Sequence, residues 1–466
     1  MIRDGILADP ARSTVFRGHI GLRDGKIAAV TPNEIFGRRV IDAGGRIVAP
    51  GFIDIHGHID GHLECALLSL VQGVTTTVGG NCGIGPLHLA SFFESQAQKG
   101  FPIHQAQLVG HSLSLREAVG LADPYRAAGP AQIARMAELA DQALAEGAIG
   151  LSFGLEYAPG SSWEEVAALG RVAADRGRLV PIHTRVLTRG DLASLQEAID
   201  ISATTGAAVL VSHFVYQYGG GFMTAALDMV DAARRRGLPV AVDSGMYTAF
   251  ATFIGAPLFS PAAMAEFGWK PEDLLAATGK YRGRRLDQGM YQELRRSNQR
   301  ETVICFTGNE TEIREPLLKE YAMLSSDTGP SGDTAAGHPQ STGSFPRFFR
   351  KMVREQKALP LLAALAKCTI LPARTLGLAN KGRLAEGGDA DLVIFDIDRI
   401  RDRADFPGVG RPDTQPDTQP DTRSDARPDT HPEGIDYVIV GGEVAVAEGQ
   451  IVPGVLAGKP IRAGRA

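Results

Sequence analysis

Ala49-Pro50-Gly51-Phe52-Ile53-Asp54-Ile55-His56-Gly57-His58-Ile59-Asp60 is an apolar run that follows a turn and ends in two histidines. Gly51 marks the turn, and Phe52, Ile53 and Ile55 have the pattern of a short buried strand. Side chains alternate along a strand, so His56 and His58 project the same way. Two neutral imidazoles on one side of a strand end can hold a divalent metal. A hydrogen-bonded structural pair is the plainer alternative, and the choice between them depends on what the rest of the chain places nearby.

Similar apolar runs recur at Val74–Val78, Ala106–Val109, Ile149–Phe153, Leu179–His183, Val209–His213, Val240–Asp243 and Ala322–Ser326. Helical stretches such as Ile133–Glu146, Trp163–Arg176 and Phe222–Arg236 separate them. This alternation predicts an α/β fold with a closed (β/α)8 TIM-type barrel over residues 50–381. A ninth run, Thr302–Phe306, is assigned to an insertion of about residues 250–320 that forms a lid or wall. Barrel enzymes carry their chemistry at the C-terminal strand ends. Here those ends bear His56 and His58, Asn81-Cys82, Glu156, His183, His213, Asp243 and Asp327. Each has a structural alternative when taken alone. Their joint placement on one rim points to a metal site.

The chain ends read differently. Residues 1–49 are β-like, with the hairpin turn Asp24-Gly25, and are too few to bury a core alone. Asp391–Asp396, Tyr437–Val440 and Glu443–Val446 supply further strands. Residues 1–49 and 382–466 are therefore expected to form one small β-sandwich from both ends of the chain. Within it, 411–433 carries a tandem Pro-Asp-Thr repeat expected to be a disordered, solvated loop.

Composition narrows the function. The 466 residues carry a net charge of −5 with both signs dispersed, so neither a nucleic-acid footprint nor a polybasic membrane patch is expected. No apolar run is long enough for a membrane span, and Met1-Ile2-Arg3-Asp4 lacks a signal peptide's apolar core. Cys65, Cys82, Cys305 and Cys368 are few and scattered, which fits a reducing compartment and a cytoplasmic location. The expected partner is a small-molecule substrate, and homo-oligomer formation is left open.

With these residues in hand, the chain resembles the amidohydrolase superfamily and, more narrowly, the N-acyl-D-amino-acid deacylases (D-aminoacylases). The likeness rests on His56-Gly57-His58, Gly73–Gly83, Gly150–Tyr157, His183-Thr184-Arg185, Ser325-Ser326-Asp327, Leu371–Arg374 and Ala390–Val393. The resemblance implies one or two Zn2+ ions. It implies that His183 and His213 form the tighter site, His56 and His58 the weaker one, and that Cys82 is a ligand, with the bridging position open between Cys82 and Glu156. Glu156 is implied as a ligand or as a carboxylate holding a histidine. Asp327 is implied as a metal ligand and as the catalytic aspartate, which takes a proton from activated water and gives it to the leaving nitrogen. The implied reaction is hydrolysis of a non-peptide amide C–N bond.

The chain departs from that pattern at the substrate. The family run His-Pro-Arg, whose arginine is associated with the substrate carboxylate, is here His338-Pro339-Gln340. A glutamine cannot replace a bidentate, charged guanidinium. No basic residue follows at the second position after His213, where Val215 stands. Arg185 or Arg189 is a candidate replacement cation, and Tyr247 a candidate hydroxyl for a tetrahedral intermediate. Rival readings are a cyclic amide or ureide hydrolase of the dihydroorotase and hydantoinase kind, a deaminase, and a barrel that binds metal and ligand without turnover. The complete ligand set with Asp327 present argues against the last.

Overall fold

The computed structural model describes residues 1–185, 191–330, 337–407 and 431–464. Eight parallel strands, Phe52–Asp54, Val74–Gly79, His104–Gly110, Gly150–Gly154, Val180–His183, Val209–Val211, Val240–Ser244 and Ala322–Leu324, are hydrogen-bonded in that order. Residues beyond the strand ends join the first strand to the eighth. Asp327 N donates to His56 O at 2.9 Å, and His58 N donates to Thr328 O at 2.7 Å. The barrel is thus zipped at its C-terminal rim by the segments that carry the candidate site.

Strand alternation sorts the apolar residues into two layers. Ile53, Val78, Ala106, Leu108, Leu210 and Met323 pack together in one cluster. Val109, Leu151, Val180, Val211 and Val242 pack in a second, against the flanking helices. Those helices include Pro130–Ala145, Trp163–Asp175, Leu192–Thr205 and Met223–Arg235. Local chemistry sets their ends. Leu192–Thr205 starts where the Asp191 carboxylate accepts from Ser194 N at 3.1 Å, and stops at Gly206 with φ +76°.

Among the described residues, the chain ends form one hydrogen-bonded sheet of nine strands. The two ends meet where Leu392–Phe395 runs antiparallel to Ile47–Pro50. Val393, Phe395, Val438 and Val440 face the barrel, in a cluster with Phe52, Phe345 and Phe349. Leu392, Ile394 and Ile439 face the other way and join Ile2, Leu7 and Ile20. The last strand, Pro460–Ile461, leaves this sheet and pairs in parallel with His104–Gly110 of the barrel. The Pro-Asp-Thr repeat, at 412–422, lies outside the described residues.

Thr302–Phe306 is the central strand of a three-stranded antiparallel sheet with Ala249–Phe253 and Leu274–Ala276, placed between the seventh and eighth barrel strands. This insertion has its own core of Ile254, Phe259, Phe267, Met290, Leu294 and Val303. Among the described residues, no helix is long and apolar enough to cross a membrane.

Candidate active site

The barrel rim gathers sulfur, nitrogen and oxygen donors. His56 Nε2 and His213 Nε2 each lie 3.5 Å from Cys82 Sγ. His56 Nε2 and His58 Nε2 lie 3.6 and 3.3 Å from Asp327 Oδ1. Two donor groups therefore share His56: His56–Cys82–His213 and His56–His58–Asp327, each with its donor atoms within 4.8 Å of one another. Beside them, His183 Nε2 lies 2.7 Å from Glu156 Oε2, and the His183 and His213 rings are 4.5 Å apart. His183 Nδ1, His213 Nδ1 and Glu156 Oε1 are buried without a hydrogen-bond partner. Buried polar atoms are ordinarily paired, so these orphans fit groups meant for an ion. Thiol, imidazole and carboxylate in adjoining groups suit one or two ions of a borderline metal such as Zn2+.

Electrostatics agrees. Burial alone would raise the Cys82 thiol, but His56, His183 and His213 outweigh it and hold the thiol well below its ordinary value. Burial would lower His58 and His183, yet Asp327 and Cys82 drive the first, and Cys82 and Glu156 the second, up to about 10. Burial raises Asp327, and His58, His213 and His56 more than reverse it. The rim is a nest of anionic groups that draws positive charge, from protons or from metal ions.

Two buried carboxylates orient these groups. Asp243 Oδ2 lies 3.3 Å from His56 Nδ1, while Asp243 Oδ1 accepts from His213 N at 2.9 Å and Ser325 Oγ at 2.7 Å. This is the carboxylate–histidine support that fixes a ligand's ring orientation. Asp54, pushed up to about 6 by burial, accepts from Ser326 N at 3.0 Å beneath the Asp327 turn. The sequence reading placed Asp243 on the rim without a role and gave Asp54 none. A carboxylate inside the apolar run Phe52–Ile55 was the available signal. Cys82, His213 and Asp327 all have left-handed backbone, with φ of +54°, +30° and +53°. Strained backbone at three candidate site residues on one rim is what functional sites accumulate. Gly154 permits the arrangement, because a Cβ there would lie 2.0 Å from Cys82 O.

The rim opens into a cavity of about 1170 Å³ whose lining includes Tyr157, Tyr216, Phe250, Phe253, Phe267 and Trp269. Gln340 and Tyr247 are in the lining. Gln340 Nε2 donates to Asp327 O at 2.7 Å, and Gln340 Oε1 accepts from Tyr216 OH at 3.2 Å. Tyr247 OH is turned to Pro339 O at 3.2 Å. His338 also lines the cavity. It accepts from Gln340 N at 3.1 Å through Nδ1, so its Nε2–H faces Ala249 O at 3.0 Å. The expectation for Arg185 is corrected. Its Nε and Nη2 pair with Glu197 at 2.8 and 3.1 Å, and its Nη1 and Nη2 donate to Pro159 O and Ser161 O at 2.7 and 2.6 Å. Glu197, on the helix after the fifth strand, captures the guanidinium, and Arg185 is absent from the lining. Arg189 lies outside the described residues.

Residues 47–445 match the Amidohydrolase family. The chain belongs to that family. This amidohydrolase is 34% identical to the N-acyl-D-glutamate deacylase of Alcaligenes xylosoxydans xylosoxydans, over 87% of this chain and 88% of that one. It is 31% identical to the D-aminoacylase of the same organism, over 87% and 90%. Its fold superimposes on the crystal structure of N-acyl-D-glutamate deacylase from Bordetella bronchiseptica, complexed with zinc and a phosphonate mimic of the tetrahedral intermediate. That match has a TM-score of 0.83 and 30% identity and covers 99% of both chains. The chain accordingly acts as a hydrolase on carbon–nitrogen bonds other than peptide bonds.

Proposed function

We propose that this amidohydrolase is a zinc-dependent deacylase of the N-acyl-D-amino-acid class, which splits an acyl–nitrogen bond into a carboxylate and an amine. The observation that carries the reading is the Cys82 thiol set 3.5 Å from both His56 and His213, with Asp327 3.3 Å from His58 on the same rim. His183, His213 and Cys82 would hold one ion, and His56 and His58 the second position, with Cys82 between the two. Glu156 orients His183 and leaves Oε1 for an ion. Bound zinc supplies a Lewis acid for the amide carbonyl and makes water acidic enough to attack at neutral pH.

The protein's own groups do the rest. The Asp327 carboxylate, fixed through its backbone N–H to His56 O, accepts the proton of the attacking water and returns it to the leaving nitrogen. Asp243 keeps the His56 ring in register during that exchange. The aromatic lining excludes water from the acyl group, which strengthens these charge interactions. All four cysteines are unpaired and buried, which supports work in a reducing compartment such as the cytoplasm.

The test is metal content together with turnover on N-acyl D- and L-amino acids, a hydantoin and dihydroorotate. Zinc bound by the wild type and lost from His183→Ala, with turnover of the D-series, supports the reading. Turnover of the ring substrates alone would replace it with ring opening. Absence of zinc after growth with added zinc would end it.

A further inference from the structure

A free carboxylate on an N-acyl amino acid lies one carbon from the scissile nitrogen, so it must find its partner close to Asp327. Among the described residues, and apart from the proposed zinc ligands, the cavity wall there includes the side chains of Tyr216, Tyr247, His338 and Gln340, all uncharged in this arrangement. Their polar atoms are largely committed. Tyr216 OH donates to Gln340 Oε1, and Tyr247 OH to Pro339 O. Both His338 nitrogens are used, and burial pushes its pKa down to about 3, so the ring stays neutral. Gln340 spends one Nε2 hydrogen on Asp327 O and keeps one. A single neutral donor suits a carbonyl oxygen; a carboxylate taken out of water needs charged or several donors.

The wider cavity repeats this balance. Among the described residues, and outside the rim of proposed zinc ligands with Glu156 and Asp327, its lining holds the carboxylates Asp60 and Asp273 and one arginine or lysine, Arg300, which is exposed. Opposite lies an aromatic wall. Tyr157 abuts His183 at 5.0 Å between ring centroids and stacks on Phe253 at 5.6 Å, and Phe267 stacks on Trp269 at 4.5 Å. The volume of about 1170 Å³ exceeds what a small charged amino acid needs.

Resting on the deacylase reading, we propose that this site prefers N-acyl amino-acid derivatives whose carboxyl group is masked as an amide or ester and whose acyl group is bulky and apolar, with Gln340 setting the charge preference. The reaction is unchanged: water adds to the acyl carbon, the C–N bond breaks, and the amine leaves with the proton.

The experiment compares kcat/KM of the zinc-loaded enzyme on N-benzoyl-D-phenylalanine and N-benzoyl-D-phenylalaninamide, and on their N-acetyl counterparts. The amide is expected to exceed the acid at least tenfold, and benzoyl to exceed acetyl. Equal rates or a preference for the acid would overturn the proposal and leave the deacylase reading standing. Hydrolysis of none of the four would overturn both. Gln340→Arg places a cation beside Asp327 and is expected to raise kcat/KM on the acid at least tenfold. The wild-type ratio decides the matter even where that variant fails to fold.

Discussion

At the strand ends, His56 and His213 are held by hydrogen bonds to the buried Asp243 carboxylate and Asp327 by a backbone bond to His56, while Cys82, His213 and Asp327 have left-handed φ angles. On the cavity wall, Phe253, Phe267 and Trp269 belong to an insertion that has its own core, and Phe253 stacks on Tyr157, which follows the fourth barrel strand. The rim brings His56, His58, Cys82, His213 and Asp327 into two adjoining donor groups, whereas the substrate side has Gln340 where the resemblance leads one to expect an arginine. Bond cleavage needs one constellation of donors, which leaves the rim little latitude. Recognition needs only a complementary surface, so the wall can change while the chemistry stays.

If the two regions are separable in this way, damage to the rim appears in kcat and metal content, and damage to the wall appears in KM. The largest effect is expected for Asp327→Asn. It keeps the shape and removes the proton acceptor, so kcat should fall by about 10²–10⁴-fold. Steady-state kinetics with metal analysis checks this, and a variant within tenfold of wild type would show that another group carries the proton. Gly154→Ala comes next. Its Cβ would stand 2.0 Å from Cys82 O, a backbone atom that cannot step aside cheaply. Stability should drop by about 1–3 kcal/mol, and zinc per chain should drop with it. Retained zinc at a lowered Tm would show that Cys82 tolerates displacement.

The wall answers differently. Phe253→Ala removes the ring stacked on Tyr157. Losing part of an apolar contact costs about 1–2 kcal/mol of binding, so KM for a bulky N-acyl substrate should rise by about 5–30-fold. Zinc content and kcat should stay near wild type. A kcat loss as large as that of Asp327→Asn would collapse the distinction between rim and wall.

The rim was legible in the sequence because metal-ligating residue types stand at the ends of apolar runs, and a parallel barrel places all such ends on one face. Chain-local patterns do not carry side-chain partners. Asp243 supports His56 from 187 positions away, and no spacing rule connects them. Arg185 was a reasonable cation beside His183 until the fold brought Glu197 to meet it. The left-handed turns at Cys82, His213 and Asp327 break the usual preference of non-glycine residues, so propensity points away from them. Tyr247 sits at a rim position, but helix Gln340–Phe348 passes close enough for Pro339 O to take its hydroxyl.

The smallest expected effect tests whether the wall has ionic support of its own. Behind Tyr247, the Arg347 guanidinium lies 4.6 Å from the ring centroid, and Asp402 binds Arg350 Nε at 2.8 Å and Arg347 Nη1 at 3.1 Å. Burial would raise Asp402, but the two guanidinium groups outweigh it and depress its pKa. A depressed folded-state pKa means that the unfolded chain binds the proton more readily. The stabilisation is therefore fully present above the unfolded value, near 3.9, and is lost as pH falls through the folded value. Asp402→Asn should cost about 1–3 kcal/mol at pH 7 and raise KM a few-fold, without changing zinc content. The stability gap between variant and wild type should narrow as pH falls below about 4. A gap that stays constant across that range would mean that Asp402 supports Tyr247 through shape and hydrogen bonding alone.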